Sequence, residues 1–327
     1  MTITILGVKD MLTLSKIAKL ANVSVSTASK AFSMSPEVNE ETREAIFTIA
    51  KKHGCFKKFF NAKYPKLVIA VICPELDSLY YANIIAKLQS TLEKRGCEIC
   101  IATTQFSKER GRSLANYYSK YARVDGIILL DSASAYEAVG DMPTVCIGHV
   151  KENIPKVTND KERAVFEAVD YLAGKGVTDI GFIGEWLTSS KKNYFIKAME
   201  ARLGSYNESL IAIGDRFADG AYETTKKMID AGRVPRAIIC AYDYLAIGAM
   251  RCLSEHGYKI PGDVAIIGMD DIPEAKYLYP SLSSIDNGSD KLCEVTAETI
   301  INMMLGKPYE NSTVIESTLH LRESSNI

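Results

Sequence analysis

From Leu67 onward, short β-branched runs alternate with amphipathic segments of helical length, and this alternation constrains the fold more than any other feature. Leu67–Cys73, Cys97–Ala102, Gly126–Leu130 and Thr144–Ile147 read as strands, with helices at Tyr81–Arg95 and Glu109–Lys120. After Asn159 the pattern restarts. Helices Glu162–Lys175, Lys191–Arg202, Gly220–Ala231 and Leu245–His256 lead to strands Asp179–Ile183, Leu210–Ile213, Arg236–Cys240 and Val264–Ile267. Parallel strands need a long crossover, so alternating strands and helices imply βαβ units and parallel sheets. Roughly ten strands fit two sheets better than one. Helix Lys291–Met304 comes late enough to return to the first sheet.

Residues 14–60 have another texture. Apolar positions recur at helical spacing, at Leu14, Ile17, Ala18 and Ala21, then Val25 and Ala28, then Val38, Ile46, Ile49 and Ala50. Thr13, Ser24 and Asn39 precede the three helices as N-cap types. A short helix, a turn at Asn22–Val23 and a second helix opening at Ser24 make a helix-turn-helix. The second helix carries small polar residues suited to a major groove. Charge supports that reading. Residues 1–66 hold eleven Lys/Arg and five Asp/Glu, against 28 and 35 in the remainder. A basic head on an acidic body points to an anionic partner for the head, such as nucleic acid.

Other classes find little support. With 47% apolar and 24% charged residues the composition is that of a globular chain. No apolar run reaches spanning length, and Lys9 and Asp10 interrupt the leader Met1–Asp10 without a cleavage site, so the expected compartment is the cytoplasm. Met11 is a second candidate start. The eight cysteines, including the Cys97-x-x-Cys100 pair, read as buried free thiols. Gly174-x-Gly176 precedes a strand and lacks a third glycine, which excludes a dinucleotide loop. No phosphate loop, His-Glu-x-x-His or Gly-x-Ser-x-Gly motif is present, and the four histidines are scattered. Asp270-Asp271 lacks a third metal ligand. The expectation is a non-enzyme without cofactor or metal.

Leu12–Ile46, with its Val23-Ser24-x-x-Thr27-x-Ser29 core and Val38-x-x-x-Thr42-Arg43, resembles the DNA-binding head of the LacI/GalR repressors. The likeness continues through Val124-Asp125-Gly126-Ile127-Ile128, Ala241-x-Asp243-x-x-Ala246-x-Gly248 and Gly268-x-Asp270-Asp271-Ile272-Pro273. It ends with Pro280-x-Leu282-Ser283-Ser284 and Leu321-Arg322-Glu323-Ser324. It implies a small all-α helix-turn-helix head (residues 11–58) and a hinge (59–66). The body (67–327) would have two parallel-sheet α/β lobes like a type I periplasmic binding protein. Lobe 1 would span 67–157 and 286–314, and lobe 2 158–285 and 315–327. It further implies a homodimeric repressor, a pseudo-palindromic double-stranded operator and a sugar-like effector between the lobes. The chain ends soon after Arg322 with no heptad tail, so a tetramer is not expected.

By resemblance, Val25 and Ser26 read bases with Lys30 one turn on, while Ser24 and Thr27 meet phosphate. Thr13, as the cap of the first helix, joins the DNA-binding set. The cleft would gather Pro74–Tyr81, Asp131–Ser132, Gly184–Ser190, Tyr242 and Asp270, at the carboxyl ends of strands. Asp270 matches the acid that binds sugar hydroxyls, and Tyr80 and Tyr81 match ring-stacking residues. The chain departs from the family elsewhere. Lys191 stands for an effector-binding Arg, Tyr194 for a Gly, Tyr242 for an Asn, Arg216 for a stacking aromatic and Gly148 for a carboxylate. Lys191 and Arg216, if both face the cleft, favour an anionic ligand. The hinge lacks the family's Leu, leaving Phe59 or Phe60 as the candidate minor-groove wedge, with packing beneath the body as the alternative. A soluble sugar-binding protein with a non-functional head is the rival function.

Overall fold

The structure, a computed structural model, describes residues 12–60, 66–148 and 154–327. The chain divides into two compact units at Lys66/Leu67. The leader, Met11 and hinge positions 61–65 lie outside the described residues.

In the first unit, α1 (Leu14–Leu20), α2 (Val25–Phe32) and α3 (Glu40–Lys52) each begin where a side chain accepts an otherwise unpaired backbone N–H. Thr13 Oγ1 accepts from Lys16, Ser24 Oγ from Thr27, and Asn39 Oδ1 from Thr42, at 3.3, 2.9 and 2.8 Å. Ile17, Ala31, Phe32, Val38, Ile46 and Phe47 form the core. A short α4 (Phe56–Phe59) follows. Phe59 and Phe60, expected at the start of the hinge, pack against the head. Phe59 lies 5.7 Å from Phe32, and Phe60 packs 4.9 Å from Phe56 and 5.7 Å from Phe47. Both rings belong to the head's aromatic cluster, so neither is a free wedge. Apolar area and edge-on ring pairs hold them there.

The second unit begins with β1 (Leu67–Cys73), α5 (Leu79–Glu93), β2 (Cys97–Thr103), α6 (Lys108–Lys120), β3 (Gly126–Leu130), β4 (Thr144–Ile147) and β5 (Lys156–Asn159). It continues with α7 (Lys161–Gly174), β6 (Ile180–Glu185), α8 (Ser189–Leu203), β7 (Ile211–Gly214), α9 (Phe217–Asp230), β8 (Ala237–Cys240), α10 (Asp243–Glu255), β9 (Ala265–Met269) and β10 (Ser283–Asp286). Last come α11 (Ser289–Met304), β11 (Ser312–Ile315) and β12 (Thr318–His320). The first sheet runs β11-β5-β4-β3-β1-β2, all parallel. The second runs β12-β10-β9-β8-β6-β7, with only β12 antiparallel. Helices cover the sheets, which is why central strands such as β3 are buried along their whole length.

The chain crosses between sheets after β5, β10 and β11. Hydrogen bonds tie the crossings together. Asn159 Nδ2 donates to the Asn287 carbonyl at 3.3 Å, and the Ser317 N–H donates to Asp160 Oδ1 at 2.6 Å. Gly288 sits here at φ +65°, where an added Cβ would stand 2.6 Å from Ile315 and 2.8 Å from the Glu316 carbonyl. Only glycine allows so close an approach.

Candidate nucleic-acid interface and ligand cleft

The head presents the start of α2. Val25, Ser26 and Ser29 are exposed, while Ala28, Ala31 and Phe32 anchor the helix. The Ser24 and Thr27 hydroxyls lie 2.8 Å apart, so the two residues both cap the helix and face outward. The helix N-terminus adds a positive partial charge for phosphate. Lys30 is not free, since its ammonium is paired with Glu37. The motif residue Arg43 has a structural task. Its Nη2 donates to the carbonyls of Ser35 and Val38 at 2.9 and 2.7 Å, fixing the loop between α2 and α3.

In the body, all six sequence-selected residues converge between the two lobes. Tyr80 and Tyr81 enter from the first turn of α5, and Asp131 and Gly148 follow β3 and β4. From the second lobe come Lys191 and Tyr194 on α8 and Tyr242 at the start of α10. They line a cavity of about 290 Å³, near the lower end of the ~300–1,000 Å³ usual for small-molecule sites. A compartment of about 40 Å³ adjoins it, lined by Ser78, Asp131, Lys191, Tyr242, Asp270 and Arg216 among others.

Lys191, Asp270, Asp131 and Arg216 each have a partner here. Lys191 Nζ donates to the Ala241 carbonyl at 2.6 Å, stands 3.7 Å from Asp270 Oδ1 and lies 3.6 Å from the Tyr242 ring centre. Burial lowers its pKa to about 8, with Asp270 opposing the shift. Asp270 also accepts from Asn287 Nδ2 at 2.6 Å, and Asp131 accepts from the Tyr81 hydroxyl at 3.2 Å. Burial raises the pKa of both carboxyls, although Lys191 and Lys161 pull the other way. Arg216 is held by Glu75 and Glu185. Carboxylates from both lobes thus pair the two cations expected to favour an anion, while Lys161, which lines both compartments, holds its ammonium 5.1 Å from the Tyr80 ring centre.

Several residues were not singled out from the sequence. Asn159 ends β5, a strand too short and polar to read, and Lys161 follows it. Phe106 follows β2, and its ring meets Trp186 across the lobes. Glu185, within the expected cleft segment Gly184–Ser190, ends β6 and is wholly buried against Arg216 and Tyr244. Asp271, Asp286 and His320 also converge, yet Asp271 already accepts from Arg322 and meets His320 at 2.7 and 2.8 Å. Cys97 is buried, whereas Cys100 is only half-buried.

Known proteins share this arrangement. Residues 13–55 match the model of bacterial regulatory proteins of the lacI family, and 169–325 that of a periplasmic binding protein-like domain. The HTH-type transcriptional regulator GalR of Streptococcus thermophilus is 33% identical, over 96% of this chain and all of that one. The chain belongs to the LacI family. As a LacI-family member it is a DNA-binding transcriptional regulator controlled by a small molecule. Among solved structures, the lac repressor dimer bound to operator and the anti-inducer ONPF superposes with a TM-score of 0.73 at 20% identity. That match covers 96% of this chain and 99% of the other. The transcriptional regulator CelR–cellobiose complex gives 0.69 at 24% identity, over 96% and 100%. Both share the LacI-family fold.

Proposed function

We propose that this regulator is a cytoplasmic, homodimeric repressor whose heads dock α2 into the major grooves of a pseudo-palindromic operator. Its cleft takes a neutral, hydroxyl-rich ligand of sugar type. In this reading residues up to Phe60 belong to the DNA-binding unit, 61–66 form the linker, and 67–327 bind effector and partner subunit. Among the described residues no helix is long and apolar enough to cross a membrane.

The observation that carries the ligand reading is the charge pairing in the cleft. Lys191 and Arg216 are met by Asp270, Glu75 and Glu185, with Asp131 facing them from the first lobe. At Lys191 and Arg216 a phosphate or carboxylate meets acids already in place, which leaves Lys161 as the further cation of the main cavity. A sugar finds carboxylate acceptors at Asp131 and Asp270 and ring faces at Tyr80, Tyr81 and Tyr242. Both lobes supply groups, so the ligand favours one lobe arrangement and shifts operator affinity by its differential binding. The head reading rests on the exposed, polar start of α2, with Val25 and Ser26 towards bases and Thr13, Ser24, Thr27 and Lys30 near phosphate.

The test is fluorescence anisotropy of the protein on its own upstream DNA, at two salt concentrations, with neutral sugars and their phosphates. Sequence-specific binding with a log–log salt slope near −0.9 per neutralised phosphate, changed by a neutral sugar, is expected. A response confined to phosphorylated sugars would overturn the ligand reading. Binding no tighter than to random duplex would overturn the operator reading.

A further inference from the structure

Arg216 is the N-cap residue of α9, at the positive end of the helix dipole, where a cation is disfavoured. Carboxylates hold it there. Nη1 and Nη2 donate to Oε2 and Oε1 of Glu75 at 2.8 and 2.5 Å, and Nε donates to Glu185 Oε1 at 3.1 Å. Glu185 is anchored in turn by the Tyr244 hydroxyl at 3.0 Å. Arg216 and Glu185 belong to the second lobe, but Glu75 follows β1 in the first. The two-pronged pair is thus a bond between lobes, with the planar fork that guanidinium and carboxylate share. The side chains of Arg216 and Glu75 are 16% and 11% exposed, so water and salt screen them weakly. Aromatic rings surround the pair. Phe106 of the first lobe lies 5.2 Å from the guanidinium carbon and Phe217 of the second 4.5 Å. Phe106 also meets Trp186 of the second lobe, with ring centres 5.7 Å apart.

We propose that Glu75 and Arg216 form an interlobe clasp that sets closure of the cleft, making Glu75 a positioning residue for the ligand response. Glu75 lines neither the main cavity nor the compartment beside it, which Arg216 reaches, so the clasp acts through Glu75 on the angle between lobes. Closure with and without ligand then draws on the same contact. Loss of the clasp moves the protein away from its ligand-bound arrangement. The inference rests on the reading that lobe closure carries the ligand response, yet its first readout needs no ligand.

Trp186 is the single tryptophan of the chain and lies beside the clasp. Its emission and acrylamide quenching are compared in full-length wild type, E75Q, R216Q and the double variant, with far-UV circular dichroism to verify folding. E75Q is expected to shift emission to the red and raise quenching, and to add nothing in the R216Q background. If E75Q does not fold, E75D keeps the charge but shortens the reach, and the same red shift is expected. In operator titrations E75Q is expected to shift the Kd at least about fivefold, the lower end of usual allosteric coupling. The shift should run opposite to that caused by whichever neutral sugar of the panel is active. Wild-type emission and quenching in E75Q, or additive effects of E75Q and R216Q, would overturn the clasp. A wild type indifferent to every sugar would overturn the ligand reading, while the Trp186 comparison still judges the clasp.

Discussion

A Cβ added to Gly148 would stand 2.1 Å from Oδ1 of Asp131. The missing side chain at one position is what lets the carboxylate of the other occupy the cleft. Gly148 adopts φ +115°, a region closed to most side chains, and Asp131 itself sits at φ +47°. The Tyr81 hydroxyl then holds the Asp131 carboxylate in place. A carboxylate thus lines the cleft from the loop one strand away from position 148. Gly148→Ala should displace Asp131 and weaken the active sugar about tenfold or more, since a hydrogen bond to a charged acceptor is worth ~1.5–3 kcal/mol. Asp131→Asn should lose a similar amount. Sugar titration of operator complexes checks both, and an unaltered titration midpoint in both variants would show that Asp131 takes no part.

Lys30, which we propose approaches phosphate from α2, is paired with Glu37, and both side chains are substantially exposed. Glu37→Gln should free the ammonium for phosphate. Operator binding is expected to tighten by roughly 0.3–1 kcal/mol, the range of surface pairs, and the log–log salt slope to steepen by about 0.9. Anisotropy at several salt concentrations reads both quantities. An unchanged slope would mean that Lys30 does not reach phosphate.

Arg43 is almost fully buried and donates to two loop carbonyls. Arg43→Ala leaves these acceptors unpaired and opens space beside Val38. At ~1–3 kcal/mol for each unsatisfied buried group, the head should lose about 2 kcal/mol or more. Calorimetry of the full chain should show the head transition falling while the body transition stays put. Equal movement of both transitions would contradict the division into two units.

Asp243 is fully buried at the start of α10, accepting from the Ser284 hydroxyl at 2.6 Å and from the Ile272 N–H at 2.8 Å. Burial first, and then Asp270, push its pKa up to about 7. The folded state therefore binds a proton that the unfolded chain, with a carboxyl near ~3.9, has already lost. Its contribution is fully present below about pH 4 and disappears as pH rises to about 7, a change on the order of a few kcal/mol. Asp243→Asn should flatten the dependence of Tm on pH between about 4 and 7. Parallel curves for variant and wild type would rule out this residue as the source.

The long apolar runs and helical periods determined the architecture by themselves. Strands such as Gly126–Leu130, buried on both faces, and helices capped by Ser24 and Asn39 carry their signals within a few neighbouring residues. The residues expected around the cleft came from the family resemblance, which agreed with the rule that an α/β sheet puts its site at strand ends. What the tertiary structure alone decided is where each charge goes. Glu75 and Arg216 are separated by most of the first lobe in sequence and meet only because two sheets face one another. The four-residue strands at Lys156–Asn159 and Ser312–Ile315 form because each pairs with the other across the sheet. Phe59 and Phe60 look like linker until Phe32 and Phe47 offer them a core. Local propensity acts over a turn or two of chain, whereas charge pairing and burial depend on neighbours in space, which no short stretch of sequence contains.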